Sequence, residues 1–156
     1  RVKYFYGRIE NYIRLMSNLP VYPMSYYKSL QIEHIIPQTP DEGNIPERFS
    51  NEDDYEYCLH LLGNLTLVES SINQVLNKVN KITENDWFDK KKEEYCKSDI
   101  KLTQTIAKIE KIGVNTAWNS FSEKNLQCFT VWNKDEVKNR QDLLFNLAKQ
   151  IWNVSV

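Results

Sequence analysis

The chain has 156 residues and only two histidines, and one of them, His34, stands beside Glu33 in the apolar run QIEHIIPQ at residues 31–38. Further on come a Gly63-Asn64 pair and then Asn73, nine residues after Asn64. These residue types could together hydrolyse a phosphodiester. That reaction needs an in-line water, a base to take the water's proton, and a positive centre for the charge that builds on the phosphate and the leaving oxygen. With an unperturbed pKa of ~6.5, a histidine is a neutral base at cell pH. A carboxylate and a side-chain amide oxygen are hard ligands of the kind Mg²⁺ or Mn²⁺ prefers, and Glu33 and Asn73 would supply them.

The elements that must position these groups follow from local patterns. Gln31 to Ile36 reads as a strand that Pro37 stops. Gly63-Asn64 is a turn signal, and Leu65-Thr66-Leu67-Val68 after it is a short branched strand. Glu69-Ser70-Ser71 carries capping chemistry for a helix whose apolar face is Ile72, Val75, Leu76 and Val79, with Asn73, Asn77 and Asn80 on another face. This is a strand-strand-helix unit in which His34, Asn64 and Asn73 can face one cleft. Glu33 is the difficulty, because neighbouring residues on a regular strand point to opposite faces unless the chain bends.

Around this unit the sequence predicts helices. Val2, Phe5, Tyr6, Ile9, Tyr12, Ile13 and Met16 make an amphipathic stripe at the start. Helical patterns recur over 84–95 and 102–112, and a last helix begins near Asp135. Residues 21–30 read as an extended connection. Residues 39–56 are rich in acids and prolines and suit a solvated loop with a short helix near its end.

The totals bound the class. Hydrophobic residues make up 41% and charged residues 26%, enough for an ordinary core in a single domain over residues 1–156. No apolar run approaches the ~20 residues of a membrane span, and the expected location is cytoplasmic. Cys58, Cys96 and Cys128 are odd in number and widely spaced, arguing against a disulfide framework or a zinc knuckle. A net charge of −1 argues against nonspecific coating of nucleic acid. The start at Arg1 without a methionine suggests a domain cut from the C-terminal part of a longer protein.

EHIIPQ followed by LLGNLTLVESSINQVLNK resembles the HNH (ββα-metal) nuclease signature, in the version of the C-terminal nuclease domain of GmrSD-type restriction enzymes. Phe88, Lys91 and Tyr95 match that version's later Phe-x-x-Lys-x-x-x-Tyr element, and Trp132, Arg140 and Trp152 match its closing helix. The strand is also similar to that of the HNH domain of CRISPR RNA-guided nucleases, as is the step from Asn64 to Asn73. The resemblance implies a mostly helical α+β domain around a small ββα-metal unit at about residues 31–80, with a helical part at about residues 84–153. It implies that His34 is the general base, that Glu33 and Asn73 hold a divalent metal, and that Asn64 fixes the loop orienting the base. Asparagine and glutamate oxygens favour Mg²⁺ or Mn²⁺ over Zn²⁺ or Ni²⁺. The implied function is DNA cleavage in bacterial defence against phage or modified DNA, with an upstream or partner nucleotide-hydrolysing module for recognition.

The remaining candidates are substrate contacts, each with a plainer reading. His60 lies four residues before Asn64 and suits either a phosphate contact or packing. Asn77 is one helical turn from Asn73 and could replace it. Lys78 and Lys91 belong to a lysine-rich stretch that is either a solvated face or a track for a phosphate backbone. Arg140 suits a phosphate contact or a brace for the last helix. Two other functions stay open at this stage: an inactive DNA-binding or interaction module, and an RNase or toxin nuclease sharing the same chemistry.

Overall fold

The computed structural model describes residues 1–38, 49–79 and 86–153. Along the chain run α1 (Val2–Met16), α2 (Met24–Ser29), β1 (Gln31–His34), α3 (Glu52–Leu59), a 3₁₀ turn (Leu62–Asn64) and β2 (Leu65–Val68). They are followed by α4 (Ser70–Val79), α5 (Trp87–Tyr95), α6 (Lys101–Ala107), α7 (Ala117–Asn125) and α8 (Lys134–Trp152). The fold is α+β and mostly helical, built around one two-stranded antiparallel sheet. Its register pairs Gln31 with Val68, Ile32 with Leu67, Glu33 with Thr66, and His34 with Leu65.

An isolated pair of strands is marginal in water, so helices must cover both faces of this one. Every residue of β2 is buried. Leu65 and Leu67 pack with Tyr6, Ile9, Ile13, Trp118, Leu144 and Leu147, from α1, α7 and α8. Val68, with Ile35 and Ile36, packs on the other side with Phe88, Tyr95, Trp132 and Val137. Two polar joints lock the helices on. The buried Glu10 carboxylate accepts from the Lys101 and Leu102 amides, each at 2.9 Å, and so ties α1 to the free N–H groups that open α6. The Thr103 hydroxyl donates to the Leu67 carbonyl at 2.7 Å and lies 2.7 Å from the Thr66 hydroxyl, which fixes α6 to β2.

The structure departs from the sequence expectations in definite places. Residues Met24–Ser29 form a helix where an extended connection was expected, with Pro23 in the β region at its N-cap and Tyr27 fully buried. The pattern is too short for its period to be seen. The strand ends at His34 rather than Ile36, because the amides of Ile35 and Ile36 are taken by the main-chain and side-chain oxygens of Asn64, at 2.9 Å each. The pattern over 102–112 stops at Ala107, and α7 forms where no helix was expected, capped by the Thr116 side chain accepting from the Asn119 amide. The expected helix at the end of the acidic loop is α3, capped by Asn51. Residues 39–48 of that loop, and the expected helix start at Glu84, lie outside the described residues. The cysteines are free, with Cys58 in the core.

Candidate active site

The last residue of β1 is His34, with its side chain half-buried. Its ring meets that of His60, the residue capping the C-terminus of α3, edge to face at 6.4 Å between centroids. The two histidines of the chain thus come together, with His60 exposed at the rim. Burial is the main force on His34 and pushes its pKa below the ordinary value; His60 and Lys91 add to that, and the Glu33 charge opposes it. The imidazole is therefore neutral at cell pH, the form a base must have. We expect the acid limb of the single-turnover rate to have its midpoint below ~6.5 and to level off within about two pH units above that midpoint. A pH–rate profile from pH 5 to 8 checks this, and a midpoint above ~6.5 would show that His34 is not the desolvated base.

Asn64 is fully buried and touches no solvent. Its side-chain oxygen accepts from the Ile36 amide at 2.9 Å and from the Trp132 indole N–H at 3.2 Å, while its amide nitrogen donates to the Leu59 carbonyl at 3.0 Å. One amide thus joins the exit of β1, the end of α3 and the segment ahead of α8. Asn64 is a positioning residue for the strand end that carries His34. The sequence placed Trp132 in the closing helix and in the core; it is in the core but stands ahead of α8, and the need of a buried indole N–H for a partner was the available signal.

The turn around Asn64 is gripped by the two ends of the chain. Arg140 of α8 is 1% exposed and donates through Nη1 to the carbonyls of Gly63 at 2.8 Å and Leu65 at 2.5 Å. The Tyr6 hydroxyl of α1 donates to the Leu62 carbonyl. Gly63 lies against α8, with its amide donating to the Gln141 side chain at 3.3 Å. The irregular turn needs these partners because buried carbonyls outside a ladder are otherwise unpaired.

Of the two readings the sequence left for Arg140, the buried guanidinium and its bonds to the turn fit the brace. Lys91 corrects a sequence expectation. It is fully buried, and its ammonium bonds Glu33 Oε1 at 2.7 Å, the His34 carbonyl at 2.8 Å and the Ile35 carbonyl at 2.9 Å. Asn73 is half-buried in the first turn of α4, and Asn77 and Lys78 are exposed one turn on.

Glu33 turns to the interior. It is 3% exposed, and one of its oxygens takes both the Lys91 ammonium and the Tyr95 hydroxyl, the latter at 3.1 Å. A hard divalent ion needs carboxylate oxygens offered to it alongside water and phosphate. Glu33 does not fit that part in this arrangement, and among the described residues no group of three or more His, Cys, Asp or Glu could hold a metal. Of the other donors the sequence pointed to, His34 and Asn73 are half-buried and His60 is exposed.

Fold and site together define a helix-wrapped α+β domain that presents a neutral histidine at the end of a strand pair. A family model described as GmrSD restriction endonucleases, C-terminal domain, matches residues 1–147, and the chain belongs to that family of nucleases. Neither the curated proteins nor the solved structures gave a match. No helix among the described residues is long and apolar enough to cross a membrane.

Proposed function

We propose that the chain is an HNH-type endonuclease that hydrolyses phosphodiester bonds of DNA. The observation that carries this reading is His34: a half-buried imidazole at the end of a strand whose exit is bonded by Asn64 and Lys91. A base held in this way needs no reorganisation when a substrate arrives. A ring nitrogen of His34 takes a proton from water, the water oxygen attacks phosphorus, and the bond to the 3′ oxygen breaks, that oxygen taking a proton from solvent. The products are a 5′-phosphate and a 3′-hydroxyl. His60, Asn77 and Lys78 lie exposed and are the candidates for holding the phosphate backbone.

The family reading brings a divalent cation, with Mg²⁺ and Mn²⁺ as the ions to test and Asn73 as the ligand the geometry leaves free. Glu33 is not offered to such an ion. Residues 1–156 act as one domain, with the ββα unit at about residues 31–80. The net charge of −1 fits a nuclease that relies on a separate recognition or nucleotide-hydrolysing module for affinity. Restriction of foreign or modified DNA in the bacterial cytoplasm is the setting this implies.

The test is incubation with supercoiled plasmid and Mg²⁺ or Mn²⁺. We expect nicked or linear product that EDTA abolishes, with 5′-phosphate ends. Cutting that persists in EDTA, or 3′-phosphate ends, would refute the mechanism.

A further inference from the structure

The acid next to the base has a different partner from the one its place in the motif suggests. Register puts Glu33 opposite Thr66, on the face of the sheet that α5 and α6 cover. There Phe88, Lys91 and Tyr95 lie on one face of α5, three and four residues apart, and all are buried. An ammonium with no exposed surface requires a counter-charge, and Glu33 supplies it with a side chain only 4% exposed. Lys91 also donates to two main-chain carbonyls, those of His34 and Ile35. These sit where β1 leaves its ladder, the place where strand carbonyls lose their sheet partners.

We propose that Lys91 is a positioning residue for His34, holding the bend that aims the imidazole, and that Glu33 is its buried counter-ion rather than a metal ligand. This rests on the reading of His34 as the base. Tyr95 fixes the carboxylate through its hydroxyl, and Lys91 grips His34 through the main chain from behind while Asn64 holds the residues after it. The strand end is thereby fixed on both sides without any group touching the reacting face.

Three variants decide it: Glu33→Gln, Lys91→Met and the two combined. Mn²⁺ affinity is read by titration calorimetry, the Ile35 and Ile36 amides by hydrogen exchange, and kcat and KM on plasmid. We expect Mn²⁺ affinity of Glu33→Gln within about threefold of the unsubstituted protein, the carboxylate being outside the ion's shell. In Lys91→Met we expect faster exchange at both amides and kcat lower by about a hundredfold, with KM little changed, the pattern of a misaimed base. The double variant removes both charges, so it melts higher than Lys91→Met and carries the same exchange and Mn²⁺ readouts if that single variant fails to fold. A folded Glu33→Gln whose Mn²⁺ affinity falls by more than the ~10–100-fold that loss of an outer-shell partner costs overturns the assignment of Glu33. Unchanged exchange and kcat in Lys91→Met overturn that of Lys91. Should the unsubstituted protein cut no DNA, the nuclease reading fails alone, because the amide exchange still decides whether Lys91 holds the strand end.

Discussion

His34→Ala loses plasmid cleavage by a factor of about 10²–10⁴ and keeps the fold, because a positioned general base contributes that much and little else depends on the ring. The imidazole is half-buried, and its one ring neighbour among the described residues is His60. The bonds that fix this stretch of chain run to main-chain atoms of residues 34, 35 and 36, and alanine retains them all. The melting temperature therefore stays close to that of the unsubstituted protein, and the loss falls on kcat with KM nearly unchanged. A time course of supercoiled plasmid with Mn²⁺, alongside a thermal melt, measures both. Equal nicking by the two proteins would remove His34 from the mechanism.

Gly63→Ala produces the largest loss of stability expected from a methyl group added at any glycine among the described residues. A β-carbon at that position would lie 2.0 Å from the Val137 carbonyl oxygen, 3.0 Å from the Gln141 amide nitrogen and 3.1 Å from Gln141 Cβ. The first two are backbone atoms of α8, so no side-chain rotation relieves the contact. What Gly63 supplies is room for a helix, since its φ is not in the left-handed region. Overpacking of a core costs ~1–3 kcal/mol and more against rigid backbone; at ~3 kcal/mol a domain of this size melts roughly 6–12 °C lower. Cleavage falls as well, because moving α8 pulls Arg140 from the carbonyls of Gly63 and Leu65 on either side of Asn64. Thermal melts and single-turnover rates check both effects, and an unchanged melting temperature would show that α8 yields without cost.

Much of the site was legible along the chain because its signals are local. A branched strand after Gly63-Asn64, an amphipathic helix after it, and an apolar strand ahead of Pro37 each depend on neighbours a few residues away. Short or mixed patterns were not legible: α2 has six residues, and α7 buries only Trp118, Phe121 and Ser122. Charged residues were harder still. Whether Lys91 and Arg140 face water or the interior depends on carbonyls at least 56 residues distant in sequence, and no periodicity records them.

The sequence by itself determined the strand that carries His34, the turn at Asn64, the mostly helical wrapper and the family signature, since each is written in residue types at short spacing. Only the tertiary structure decided that the two histidines meet, that Trp132 and Arg140 serve the turn, and that Glu33 turns inward to Lys91. The reason is physical: a buried polar group must find its partner wherever the fold brings one, and that partner is set by packing across the whole chain.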